Sequence, residues 1–237
     1  DRGLVGSEMC IRDSSTTVYV RLASASVSSG ASDTPSGNIT CASTGASTKN
    51  VSASGTVYNT PSSSAGSDIS QCDNASFTLA ATNPSFGTGA WSVTSGSASI
   101  TSSSSYNSGV TGVTADNSAT LRWTVSNGTC TAATDDVVLS NNSNPTASAS
   151  TSTGTVCEGT AISLTGGASG GSGGGYSYSW SGPSSYTSSS QSPTISSSAT
   201  TGMAGSYLLT VTDGNSCSSS SSSTSITAVS YTHLRAH

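Results

Sequence analysis

Four cysteines are the residues best suited to do chemistry in this chain. Cys72 and Cys130 lie about 60 residues apart, and Cys157 and Cys217 repeat the spacing. Each pair encloses an early tryptophan, Trp91 or Trp180. Each closes after a strand-like run that stops in a turn, LRWTVSNGTC or YLLTVTDGNSC. Thiols at matched positions point to disulfide formation in an oxidising compartment. The repeat predicts the pairs Cys72–Cys130 and Cys157–Cys217, one per unit. Two copies of one cystine-closed unit argue for an array of modules, and against a single catalytic domain. Cys41 is the odd one. It reads as a small buried hydrophobe in a strand, or as half of a bridge to a cysteine further upstream.

The remaining candidates are weaker. Serines abound, but the two histidines, His233 and His237, both lie in the terminal segment 229–237. Without them only Lys49 could act as a base, so no nucleophilic triad can be built and no catalytic residue is assigned. Asp135-Asp136 offers carboxylates, yet a Ca²⁺ ion needs roughly six to eight oxygens and no DxDxDG run supplies them. The pair reads as solvated strand-edge acids, and no metal site or cofactor is expected. The glycine-rich stretch 169–175 is followed by neither a Lys nor a helix, so it reads as a flexible loop and not a phosphate cradle. Asp213-Gly214-Asn215 reads as a turn. Trp91, Trp123 and Trp180 are expected to plug cores. Tyr207, in Gly-Ser-Tyr, is expected to use its hydroxyl to hold a loop. Tyr176 and Tyr178 alternate with Trp180; with Tyr186 they either pack or form an exposed platform for glycans.

These residues sit on short strands. Val, Ile, Leu, Trp and Tyr recur in alternating runs broken by Asn, Gly, Asp and Ser, the pattern of an all-β sandwich. The runs are TTVYVRL (16–22), GNITCAS (37–43), TKNVSASGTV (48–57), SFTLAA (76–81), GAWSVTS (89–95), SASITS (97–102), GVTGVTA (109–115), ATLRWTV (119–125) and DDVVLSN (135–141). AISLTG (161–166), YSYSWSG (176–182), SPTISSS (192–198), GSYLLTVTD (205–213) and STSITAV (223–229) complete the set. Only 7% of residues are charged and the net charge is −5. Three cations in 14–228, Arg21, Lys49 and Arg122, cannot neutralise a phosphate backbone, which excludes nucleic acid as a partner. No apolar run approaches the length of a membrane span.

The two ends have a different texture. VGSEMCIRD (5–13) can be written gtg-ggc-tcg-gag-atg-tgt-ata-aga-gac. Its reverse complement, gtc-tct-tat-aca-cat-ctc-cga-gcc-cac, encodes VSYTHLRAH, which stands at 229–237. Both ends therefore read as translated library-adapter DNA, and 1–13 and 229–237 are set aside from fold reasoning. The expected layout is a partial module at 14–58, a linker or the short lead into the next module at 59–67, and modules at 68–143 and 144–228. Signal and sorting regions would lie outside this piece.

With these runs placed, the chain resembles the tandem Ig-like and PKD-like modules of large secreted Bacteroidota surface proteins of adhesin type. In the middle module the resemblance rests on Cys72, Thr82-Asn83-Pro84, Gly87-Thr88-Gly89-Ala90-Trp91, Arg122-Trp123-Thr124-Val125, Asn127-Gly128-Thr129-Cys130 and Asp135-Asp136. In the last it rests on Val156-Cys157-Glu158-Gly159, Ile162-Ser163-Leu164, Trp180-Ser181-Gly182-Pro183, Gly205-Ser206-Tyr207 and Asp213-Gly214. The cysteines depart from the antibody pattern: they lie at strand ends, where antibody domains use a mid-sheet pin. The resemblance implies a non-catalytic spacer on an extracellular bacterial surface, exported by a type IX route. Its partners would be neighbouring modules, other surface proteins or glycans. A glycan-binding adhesin module is the alternative, as are accessory modules flanking a secreted hydrolase.

Overall fold

The computed structural model describes residues 32–34, 36–41 and 47–230. The run at 16–22 and the segments 1–13 and 231–237 lie outside them. The N-terminal part holds β1 (Ser32–Asp33), β2 (Ser36–Cys41), β3 (Lys49–Ser54) and β4 (Val57–Tyr58). Antiparallel pairing joins β2 to β3 and β1 to β4. Cys41 ends β2.

The middle part is a sandwich of two sheets. Its strands are β5 (Ile69–Cys72), β6 (Phe77–Thr78), β7 (Thr88–Ser95), β8 (Ser99–Ile100), β9 (Gly109–Thr111), β10 (Asn117–Ser126) and β11 (Ala133–Asn142). One sheet runs β5-β11-β10-β7 and the other β6-β9-β8. Alternation drives the layering: Ala119, Leu121, Trp123 and Val125 of β10 all point into one core, as do Val137 and Leu139 of β11. Trp91 and Trp123 are cross-strand partners, with ring centroids 5.0 Å apart. Gly89 makes room for this pair. A Cβ there would stand 2.0 Å from the Trp123 ring.

The last part repeats the plan with β12 (Pro145–Thr151), β13 (Thr155–Cys157), β14 (Ile162–Gly170), β15 (Tyr176–Gly182), β16 (Tyr186–Ser188), β17 (Thr194–Ser196), β18 (Gly205–Asp213) and β19 (Ser222–Val229). Its sheets run β12-β14-β17 and β13-β19-β18-β15-β16. Val156, Ile162, Leu164, Trp180, Tyr207, Leu209, Val211 and Ile226 form a second, separate core. In both sandwiches the first strand of the larger sheet lies parallel to the last strand, β5 on β11 and β13 on β19.

That parallel pairing corrects the expected cystines. Cys72 pairs with Asn142 at the C-terminal end of β11. Cys130 follows the turn that precedes β11, at the opposite pole. The ten residues of β11 separate the two poles by about 30 Å, far beyond the reach of a disulfide. Cys157 and Cys217 are split the same way, at the Val229 end and the Asp213 end of their sheet. The bond that forms is Cys72–Cys217, with Cα atoms 5.5 Å apart and a sequence separation of 145. Cys130 and Cys157 are free thiols.

The segment 59–67, read as a linker or a lead-in, lies on the middle sandwich. Ser63 Oγ donates to the Trp123 carbonyl (2.8 Å), Thr82 N donates to the Ser64 carbonyl (2.9 Å), and Ala65 is buried in the core. Val229, set aside with the tail, ends β19 and pairs with Cys157.

Candidate functional site

The aromatic candidates separate into a buried majority and one exposed ring. Trp91, Trp123, Trp180 and Tyr207 are all buried. Trp180 Nε1 donates to the Ser190 carbonyl (3.1 Å), and the Tyr207 hydroxyl donates to the Met203 carbonyl (2.9 Å). Tyr207 is held by burial, and then by its neighbour Tyr186, above the ordinary phenol pKa. Tyr186 meets it edge-on at 5.6 Å. Tyr178 packs partly buried on the same core. Only Tyr176 is exposed, and its hydroxyl donates to the Gly170 carbonyl (2.7 Å). Tyr176, Tyr178 and Trp180 share one face of β15, but Trp180 is buried and Tyr178 packs on the core, which leaves Tyr176 alone at the strand's start and forms no exposed aromatic row.

Asp135 and Asp136 are exposed near the start of β11, where β10 is the paired neighbour and β5 joins only from Leu139 onward. Asp136 accepts two bonds from Arg122, at 2.7 and 2.8 Å. The Arg122 guanidinium holds the Asp136 carboxyl below its usual value, and Arg122 is raised in turn. Asp135 Oδ2 accepts from Ala65 N (2.7 Å) and so fastens the lead-in segment to the sandwich. Among the described residues no cluster of His, Cys, Asp and Glu could hold a metal ion.

The structure concentrates its interactions at the joint between the middle and last sandwiches. The Cys72–Cys217 bond crosses it, and polar groups surround it. Asp116 Oδ1 accepts from Ser143 Oγ (2.7 Å), from Ser143 N (3.1 Å) and from Ser172 Oγ. Those bonds, with the Ser172 hydroxyl contributing most, lower the Asp116 pKa. Asn215 Nδ2 donates to Asn142 Oδ1 (3.1 Å), and Asn144 N donates to Asp73 Oδ2 (3.1 Å).

The segment 169–175 is part of this joint, which corrects its reading as a flexible loop. Gly173 N donates to Asp213 Oδ2 (3.1 Å). A Cβ on Gly173 would stand 2.3 Å from Asn215 N, so only glycine brings the two turns together. Asp213 Oδ1 accepts from Asn215 N and Cys217 N, both within its own turn. Burial pushes the Asp213 carboxyl up, but the backbone N–H groups of Cys217, Gly173, Asn215 and Ser172 outweigh it and hold the pKa low.

A two-layer sandwich with parallel first and last strands, repeated in tandem, decides the fold class. The N-terminal eight Ig domains of Down Syndrome Cell Adhesion Molecule, isoform 1.30.30, align with a TM-score of 0.50 at 12% identity, over 84% of this chain and 28% of that one. The fold is immunoglobulin-like. The amphioxus IgVJ-C2 molecule aligns at a TM-score of 0.38 and 13% identity, over 67% of this chain and 99% of that one. The N-terminal four Ig domains of Dscam1 isoform 6.9 align at 0.36 and 13%, over 78% and 53%. This chain thus spans well under a third of the first structure. No family model and no curated protein matches it.

The joint was not visible as a site in the sequence. Its one signal is the position of Cys217 and Cys130 just beyond turns. A turn between the last two strands puts its cysteine at the pole opposite the end of the parallel first strand. Asp116, Ser143 and Ser172 carry no motif.

Proposed function

We propose that this chain is a stretch of a non-catalytic extracellular array whose work is to hold what it carries at a fixed distance and angle. In this reading 14–58 is the C-terminal half of one module, and 68–143 and 144–228 are complete modules. Residues 59–67 are the lead into the second. The array belongs to a long bacterial surface or secreted protein of adhesin type, and the outermost ends are adapter-derived. Its partners are its own neighbouring modules.

The observation that carries this reading is the disulfide across the joint. A covalent tie between two already packed units does nothing for chemistry within either one, but it fixes their relative orientation. The buried tryptophans and the lack of an exposed aromatic row on β15 favour a spacer over a glycan-binding module. Among the described residues no helix is long and apolar enough to cross a membrane.

Small-angle X-ray scattering on the whole chain tests the reading. The oxidised protein should give one narrow distribution of inter-module distances. Exchange of Cys72→Ser and Cys217→Ser should broaden it, with both sandwiches still folded by circular dichroism. An unchanged distribution would show that the bond does not set the geometry.

A further inference from the structure

We propose that Cys157 is one half of a second inter-module disulfide, and that its partner is the turn cysteine of a further sandwich of this same build seated on the far pole of the last one.

The argument is one of register. Cys72 is the last residue of β5 and pairs in parallel with Asn142, the last residue of β11. Cys157 is the last residue of β13 and pairs in parallel with Val229, the last residue of β19. An acidic residue follows each and closes the same contact. Asp73 N donates to the Asn142 carbonyl (2.8 Å), and Glu158 N donates to the Val229 carbonyl (3.0 Å). Cys157 therefore occupies in the last sandwich the place that Cys72 occupies in the middle one. In the middle sandwich that place is bonded to the next unit.

The partner site repeats as well. Cys217 lies in the turn between β18 and β19, and Cys130 lies in the turn between β10 and β11. Each sandwich thus carries a strand-end cysteine at the pole where the chain leaves and a turn cysteine at the pole where it enters. The one complete joint brings one of each together. Cys157 is exposed. The chain passes Val229 beside it, as it passes Asn142 beside Cys72 before β12 begins at Pro145. A unit entering with the same short connection would set its turn against Cys157. Tyr58-Asn59-Thr60-Pro61, leading into the middle sandwich, has the same form as Asn142-Ser143-Asn144-Pro145, and both prolines are buried.

The bond forms by oxidation of two thiols. Each sulfur gives up a proton, and the pair gives up two electrons to a small-molecule disulfide such as oxidised glutathione. One protein S–S bond forms, one glutathione S–S bond breaks, and two glutathione thiols leave.

The proposal rests on the array reading, yet the two fail separately. The scattering test concerns Cys72–Cys217, and the following test concerns Cys157. A second copy of residues 143–229, carrying Cys157→Ser within the copy, is inserted after Val229 of the full chain. The fusion is refolded in a glutathione buffer. Peptide mapping should find Cys157 joined to a Cys217 peptide in addition to Cys72 joined to another. Cys157, an exposed free thiol that should be alkylated without reductant in the parent protein, should become resistant. A parallel fusion that inserts residues 59–142, with Cys72→Ser within the copy, should join Cys157 to that copy's Cys130. It guards against a copy that does not fold. Alkylation of Cys157 in both fusions, with Cys72–Cys217 intact, overturns the proposal. So does a Cys157–Cys157 bond between two molecules.

Discussion

Removing the Cys72–Cys217 bond should reveal an energy that is not shared out between the two sandwiches but counted against each in full. Consider unfolding the last sandwich while the middle one stays folded. Cys72 is held beside Asn142, so the bond closes a loop of unfolded chain over residues 143–217. The chain-entropy relation gives a stabilisation of about 4.5 kcal/mol for a loop of about 75 residues. Unfolding the middle sandwich alone frees a loop over 72–142 and yields nearly the same figure. Unfolding both frees one loop with a separation of 145, worth only about 5 kcal/mol because closure entropy grows with the logarithm of length. The double variant Cys72→Ser, Cys217→Ser should therefore lose about 4.5 kcal/mol of protection in each sandwich but only about 5 kcal/mol in total. Native-state hydrogen exchange on β10–β11 and β18–β19 reads the first two quantities. Urea unfolding of the whole chain reads the third. Local losses that sum to the global loss would refute the reasoning, and so would protection that does not change in either sandwich.

Three further outcomes follow from particular contacts. Gly89→Ala drives a methyl to 2.0 Å from the Trp123 ring and should destabilise the middle sandwich by about 1–3 kcal/mol; a thermal melt at the wild-type temperature would contradict the packing. Tyr207→Phe removes the donor to the Met203 carbonyl, 2.9 Å away, and should cost about 1 kcal/mol, measured by urea unfolding of the last sandwich. Asp116 has a folded pKa below its unfolded one, so the unfolded state binds the extra proton between the two values. Its contribution is complete above the ordinary carboxylate pKa of about 4 and is lost as pH falls through the lower folded value. Stability measured between pH 5 and pH 2 should fall less steeply in Asp116→Asn than in the parent protein.

The all-β class was legible because the long central strands carry their own period. GSYLLTVTD alternates Tyr207, Leu209 and Val211 against polar neighbours, and β18 occupies that same run. ATLRWTV does the same for β10. The short outer strands give no such signal. ISQC and TVC offer one or two apolar residues each, and β12 is built of Pro, Ala, Ser and two Thr, with no large apolar residue to mark a period. Those are the strands that fix where the cysteines lie. Spacing along the chain reports how many residues separate two thiols, whereas the parallel pairing of β5 with β11 decides which pole each occupies. The pairing partner therefore could not be read from the matched 60-residue brackets. The serines of the joint were illegible for a different reason. In a chain so rich in serine, Ser143 and Ser172 differ from the others only in what the fold sets against them.

The staple has a mechanical meaning. Tension applied along the array follows the shortest covalent route, which reaches Cys72, crosses to Cys217 and leaves through β19. The residues between the two cysteines hang outside that route. With a separation of 145 positions and ~3.4 Å per extended residue, the bond withholds on the order of 500 Å of contour from a stretched chain. Melting both sandwiches under load would lengthen the array only by the short stretches outside the two cysteines. Overstretched, the two tied sandwiches stay near their resting length and refold from tethered ends.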